Sequence, residues 1–267
     1  MTVAQGSWRV RACAIAGSLL LLFTAIDAAN AVTVQIGAAK DNTIFQNNPN
    51  NTAGGQTQFY VGTNTAISPR RGLIEFDIGS KVPVGATITS VDLTLVLSMV
   101  AGSGMGGGGG APTIELHPAS KEWGEGTVSS GSGQGGLATT GDASWNAAAF
   151  NVTNWTNAGG DFGSFSASLQ IVGTTIGTSY TWLSTAALVS DVQGWLNNSA
   201  TNHGWALVNT NESTAQTFRA FNSREASASL QPVLTVSYVI PEPSTFALLS
   251  IGCGVLVAGR RRSLLVR

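Results

Sequence analysis

Lys121-Glu122-Trp123-Gly124-Glu125-Gly126 sets two carboxylates on either side of an indole. Glycoside hydrolysis needs two carboxyl groups roughly 5 to 9 Å apart, and an aromatic face beside them could hold a sugar ring. The plainer reading is a pair of loop carboxylates. Asp41-Asn42, followed by Asn47, Asn48, Asn50 and Asn51, concentrates carboxylate and amide oxygens in a short span. Calcium takes about 6 to 8 such oxygens, so a structural calcium held by Asp41 and Asn42 is a candidate cofactor. No EF-hand spacing is present, and Asn is also an ordinary turn residue.

Other chemistries find no footing. His117 and His203 are the only histidines, lie in different segments and form no H-x-x-H or H-E-x-x-H pattern. There is no G-x-S-x-G elbow and no Gly-Lys-Ser/Thr phosphate loop. Gly131, Gly133 and Gly136 fit G-x-G-x-x-G within a Gly/Ser-rich stretch, with no strand before it and no helix after it, which marks a chance match. Cys13 and Cys253 lie near the two ends, so residues 32–240 carry no thiol for a disulfide, a zinc site or a nucleophile.

Six of the seven tryptophans fall within residues 32–240. Trp195 and Trp205 sit on apolar stripes and read as core. Trp123, Trp145 and Trp155, with Trp182 near them, fall in polar loops. There an indole face could stack on a sugar while Asn, Asp and Gln supply directional hydrogen bonds. We take Trp123, Trp145 and Trp155 as carbohydrate-binding candidates, with core packing as the alternative.

These residues need a scaffold, and the apolar pattern has a period of two. Val32, Val34 and Ile36 alternate with polar residues, as do Ile74, Phe76 and Ile78, then Val91, Leu93, Leu95 and Leu97. Ile114 with Leu116, Leu169 with Ile171, Trp205 with Leu207, and Leu234 with Val236 and Tyr238 repeat it. Gly, Asn, Pro and Ser clusters separate these runs. One segment has helical spacing: Leu188, Val189, Val192, Trp195 and Leu196, with Ser184 or Thr185 as cap and Asn197-Asn198 as stop. The expected fold is all-β, a jelly-roll-like β-sandwich with one short helix. Residues 32–240 form one domain, with glycine-rich loops near 101–111 and 129–136.

Charge narrows the partners. The chain has 13 Lys+Arg against 14 Asp+Glu. Setting aside six arginines and two acids at the ends leaves residues 32–240 with 7 basic and 12 acidic side chains, a net charge of −5. No basic cluster exists between the ends, which argues against nucleic acid as a partner. Arg70, Arg71, Arg219 and Arg224 supply most of the positive charge there. An Arg can fork onto a sugar carboxylate, though pairing with Glu75, Asp77 or Glu225 is the favoured role.

The two ends read as addresses. Arg9 and Arg11 precede an apolar run from Ala12 to Ile26, and Ala29 and Ala31 give the A-x-A spacing of a signal-peptidase site, making residues 1–31 a signal peptide. Residues 241–267 hold Pro241-Glu242-Pro243, the apolar stretch Phe246 to Ala258, and then Arg260, Arg261 and Arg262. Thirteen helical residues cover only about 20 Å of a roughly 30 Å hydrocarbon core, a short transmembrane segment at best. In this order the three parts resemble the PEP-CTERM sorting signal of Gram-negative bacteria that make exopolysaccharide. The resemblance implies handling by an exosortase near Glu242-Pro243 and transient anchoring in the inner membrane. Release or attachment at the cell surface would follow.

Between the ends the chain resembles the DNRLRE-type extracellular β-sandwich domains. The residues that carry this are Lys40 to Phe45, Arg70 to Ile78, Val82 to Ile88 leading into Val91 to Leu97, and Trp123 to Gly126. The Val189 to Leu196 helix, Asn202 to Trp205, Phe221 to Glu225 and Pro232 to Val236 complete the set. The first motif lacks the arginine that such domains often carry, and glycine insertions at 102–110 blur the match. The resemblance implies a sandwich, polysaccharide binding in some relatives and a structural calcium in others. The expectation is a secreted, exosortase-processed surface or matrix protein that binds exopolysaccharide without cleaving it. A purely structural or adhesive role is the alternative, and a carboxylate-pair enzyme comes last.

Overall fold

The computed structural model describes residues 30–102, 110–130 and 133–241. The expectations on Ala29, Glu242, Pro243 and Arg260 to Arg262 lie outside these residues; Ala31 and Pro241 lie within them and are exposed. Among the described residues no helix is long and apolar enough to cross a membrane.

The fold is mostly β with one α-helix among the described residues. The alternating run at Val32 opens a 14-residue strand, β1 (Val32–Phe45). Residues 32–37 pair antiparallel with β14 (Val233–Val239), and residues 38–45 pair with β4 (Pro69–Phe76). The change of partner falls at a register shift between Ala38 and Lys40, the place where a bulge re-aims a strand. β14 also pairs with β5 (Thr87–Val100), β5 with β13 (Arg219–Asn222), and β13 with β3 (Gln58–Thr63). Gly62 and Thr63 of β3 meet Arg70 and Pro69 of β4, so the hydrogen-bonded circuit returns to β1. Such closure leaves those strands no long bare edge. β12 (Trp205–Asn209), β6 (Thr113–Pro118) and β10 (Ala167–Gln170) extend the sheet from β4, while β11 (Ser179–Trp182) pairs with β5.

These strands enclose one large apolar cluster. Leu93, Leu95 and Leu97 of β5, Ile74 and Phe76 of β4, and Trp205 and Leu207 of β12 meet Trp182 and Phe221 there. The helix α1 (Ala186–Asn197) adds Leu188, Val192 and Trp195 to it. Thr185 is the cap: its hydroxyl accepts from the Leu188 N–H at 3.0 Å.

A second cluster lies on the other face. Strand alternation sends Leu73 and Ala206 away from the main core, and there they meet Ile44, Trp123, Trp145 and Trp155. The segment after β6 carries those indoles. It includes the hairpin of β8 (Ala147–Ala149) and β9 (Thr153–Asn154). Composition reads it as polar loop; it is the cover of a second core. β2 (Asn51–Thr52) and β7 (Gly136–Leu137) pair beside it.

Candidate functional site

All three candidate sugar-stacking tryptophans are buried: Trp123 is 1%, Trp145 7% and Trp155 5% exposed. Their rings pack into the second apolar cluster, so in the structure these side chains take the core role given as the alternative. Trp123 Nε1–H donates to the His203 carbonyl at 2.8 Å, and Trp155 Nε1–H donates to the Ser144 carbonyl at 2.8 Å. The Arg71 guanidinium lies 4.9 Å from the Trp145 ring centre, forks onto Glu212 at 2.9 and 2.7 Å, and donates to the Gly159 carbonyl at 2.8 Å. Polar residues around the indoles secure a folded-over cover; they do not leave the rings open.

The two carboxylates that bracket Trp123 are each held by cations. Lys40 Nζ lies 2.7 Å from Glu122 and 2.8 Å from Glu75, and sits 4.7 Å from the Trp123 ring centre. His203 Nδ1 contacts the other Glu122 oxygen at 2.9 Å. Burial alone would lower the Lys40 pKa, but hydrogen bonds and charge from Glu122 and Glu75 outweigh it and hold the ammonium above its ordinary value. Glu125 faces the opposite way, onto Arg224: Nε at 2.6 Å and Nη2 at 2.9 Å.

Glu125 belongs to a carboxylate group that one stretch of sequence could not reveal. One oxygen from each of Asp41, Glu125 and Glu225 lies within 4.8 Å of the others. The Asp41 N–H donates to Glu125 Oε1 at 2.8 Å, and Asp41 Oδ2 accepts from the Arg224 N–H at 2.7 Å. Arg224 Nε is also 3.0 Å from Glu225, whose Oε2 is buried without a hydrogen-bond partner. Burial pushes the Asp41 carboxyl well above the usual carboxylate range; the Arg224 N–H opposes this, and the charges of Glu225 and Glu125 add to it. Three carboxylates against one guanidinium leave an excess of negative charge, and hard oxygen donors suit calcium or magnesium.

Of the two residues assigned to calcium from the sequence, Asp41 lies in this group and Asn42 does not offer a free oxygen. Asn42 is fully buried. Its Oδ1 accepts from the Thr43 and Ala53 N–H groups at 2.7 and 2.9 Å and from the Thr52 hydroxyl at 3.0 Å. Its Nδ2 donates to the Glu125 carbonyl at 2.9 Å. Asn42 is a bracket that ties β1 to β2 and to the loop bearing Glu125. Asn48 and Asn51 likewise donate to Gln134, at 2.8 Å each.

The side chains best placed to meet a ligand are other asparagines. A cleft of about 480 Å³ is lined by Asn50, Asn146, Phe150, Asn151, Val152 and Asn154, together with Ala147. Asn50, Asn146, Asn151 and Asn154 are exposed, and no charged side chain lines the cleft. Among the described residues the amides of Asn50, Asn146 and Asn154 have no hydrogen bond within the protein, and Asn151 has only a 3.5 Å contact to Thr140. The β8–β9 hairpin carries most of this lining. It is fixed from below by buried Trp145 and Trp155, the Trp155 N–H donating to the Asn146 carbonyl at 3.2 Å. Each carboxamide offers two donors and an acceptor, the pairing that vicinal sugar hydroxyls need. Asn50 was visible in the sequence as a possible oxygen donor; the other three were indistinguishable from turn residues. No protein-family model and no curated protein matches the chain.

Proposed function

We propose that this chain is a secreted, non-catalytic β-sandwich of jelly-roll type that binds a neutral stretch of exopolysaccharide in the asparagine-lined cleft. The observation that carries the reading is the set of exposed side-chain amides around Phe150, three of them without a hydrogen bond among the described residues, in a cleft with no charged lining residue and braced by a buried tryptophan layer. Signal peptidase and an exosortase would process the two ends. Val32 pairs with Tyr238, so Ala31 and Pro241 leave the same end of the sheet, a geometry that suits a domain handled at one membrane surface. The mature protein would be a surface or matrix component of a Gram-negative cell. Calcium, where bound, would be held by Asp41, Glu125 and Glu225 and would stiffen the junction between β1 and the segments that bear the two glutamates.

Burial of all three loop tryptophans favours a second reading, a structural or adhesive matrix protein with no sugar site. Retention of the purified protein on the bacterium's own exopolysaccharide, with calcium and with chelator, separates the two. Binding without release of reducing ends supports the glycan module. Absence of retention in both conditions refutes it in favour of the structural role, and release of reducing ends refutes the non-catalytic assignment.

A further inference from the structure

The asparagine cleft also carries apolar side chains, and pairing with sugar hydroxyls gives these no part. Phe150 and Val152 line it beside the four amides. Val152 is 67% exposed and Phe150 is half-buried, so both offer carbon surface to a ligand. Asn151 between them has φ 59°, a left-handed turn that asparagine tolerates better than most residues. The hairpin tip is fixed at the backbone. The Phe150 N–H donates to the Asp142 carbonyl at 2.7 Å, the Gly141 N–H to the Phe150 carbonyl at 2.9 Å, and the Val152 N–H to the Ala149 carbonyl at 2.9 Å. The Asn146 N–H donates to the Pro49 carbonyl at 3.4 Å, which ties the hairpin to the segment that bears Asn50. Amides and apolar groups therefore stand together on backbone that a ligand does not have to order.

That mixture narrows the class of sugar. No charged side chain lines the cleft, so a uronic acid or a free amino sugar would give up water around its charge for no partner. A sugar with hydroxyl groups alone satisfies the amides but sets polar groups against Val152 and Phe150. A 6-deoxy sugar supplies a methyl group for the apolar surface and takes one hydroxyl away from the amides. An acetamido group carries a donor, an acceptor and a methyl group on one substituent, without charge. Asparagine side chains hold the complementary acceptor and donors.

We propose that the cleft selects a sugar that bears an acetamido group. The acetamido carbonyl accepts from one asparagine amide, its N–H donates to the amide oxygen of another, and its methyl group covers carbon of Val152 and Phe150. Ring hydroxyls pair with the remaining amides. The volume of about 480 Å³ lies within the roughly 300–1,000 Å³ of small-molecule sites and leaves room for more than one ring. The assignment rests on the sugar-binding reading of this cleft and adds the class of sugar to it.

The test titrates the purified full chain with N,N′-diacetylchitobiose and with cellobiose, which carries hydroxyls in place of the acetamido groups, followed by calorimetry and saturation-transfer NMR. Diacetylchitobiose should bind at least about tenfold more tightly, with its acetyl methyl protons receiving the strongest saturation. Val152→Ser, at an exposed position, should keep the unfolding midpoint, weaken diacetylchitobiose about 3- to 10-fold and leave cellobiose unchanged. Equal binding of the two disaccharides, saturation strongest on the ring protons, or an undiminished preference in Val152→Ser overturns the acetamido assignment. Failure of diacetylchitobiose to bind a chain that retains the exopolysaccharide also overturns it and leaves the cleft reading standing. Exopolysaccharide retention that survives Asn146→Ala/Asn154→Ala undiminished refutes the cleft, and the acetamido assignment with it.

Discussion

Trp123→Phe separates a core indole from a sugar platform. Phe keeps an aromatic face, so a stacking role would survive the change largely intact. A core role would not, for three reasons visible in the structure. The His203 carbonyl loses the indole N–H that lies 2.8 Å away, a net loss of about 0.5–1.5 kcal/mol and more if the carbonyl is left dry. The smaller ring leaves a gap against Ile44, Leu73 and Trp145, and buried carbon is worth about 0.8 kcal/mol per methylene equivalent. Lys40, 4.7 Å from the ring centre, also exchanges the best cation-binding ring for a weaker one, about 0.5 kcal/mol at this partly exposed position. Together these give about 2–4 kcal/mol out of the 5–15 kcal/mol typical of a domain. Urea unfolding should therefore show a lower midpoint with an unchanged slope, and glycan retention per folded molecule should be unaffected. Loss of retention at unchanged stability would refute the burial argument and return the indole to a binding role.

Three other outcomes follow from the same geometry. Asn42→Ala strips partners from the Ala53 N–H and the Glu125 carbonyl and should cost about 2–5 kcal/mol by urea unfolding; a loss under 1 kcal/mol would contradict its bracketing role. Asp41 in the folded state has a raised pKa, so its contribution is fully present below the unfolded carboxylate value and is lost as pH rises through the folded value. In chelator, Asp41→Asn should accordingly be the more stable protein at pH 7 and lose that advantage near pH 3; calcium should favour the wild type, and matching pH profiles for the two proteins would refute the assignment. Gly204→Ala would drive a Cβ into the Ile74 carbonyl oxygen at a positive φ and should cost at least about 2 kcal/mol. Gly85→Ala, where φ is also positive but the space is open, should cost about 1 kcal/mol.

What could be read in the sequence follows from where each element buries its side chains. β5 and β14 alternate because one face of each meets the core, and α1 shows its stripe and its Thr185 cap for the same reason. β3 does not alternate: from Phe59 to Thr63 every residue is buried, so no period of two exists to find. The burial of Trp123, Trp145 and Trp155 was not legible because they are spaced among Asn, Asp and Gly, the composition of a loop, while the second core they build lies on the other face of β4 and β12. Asp41 was legible as a carboxylate in an oxygen-rich stretch. Its partners were not, since Glu125 lies 84 residues downstream and Arg224 183 residues downstream. Local pattern carries period and composition; it does not carry which distant loops a sheet brings together.

The asparagine cleft is tested most directly by exopolysaccharide titration of the wild type beside Asn146→Ala/Asn154→Ala. These side chains are exposed, without internal hydrogen bonds among the described residues, so their loss should leave the unfolding midpoint within about 0.5 kcal/mol of the wild type. The wild type should bind, and the double variant should bind at least tenfold more weakly, a loss of about 1.4 kcal/mol or more. Equal binding by the two proteins would contradict it.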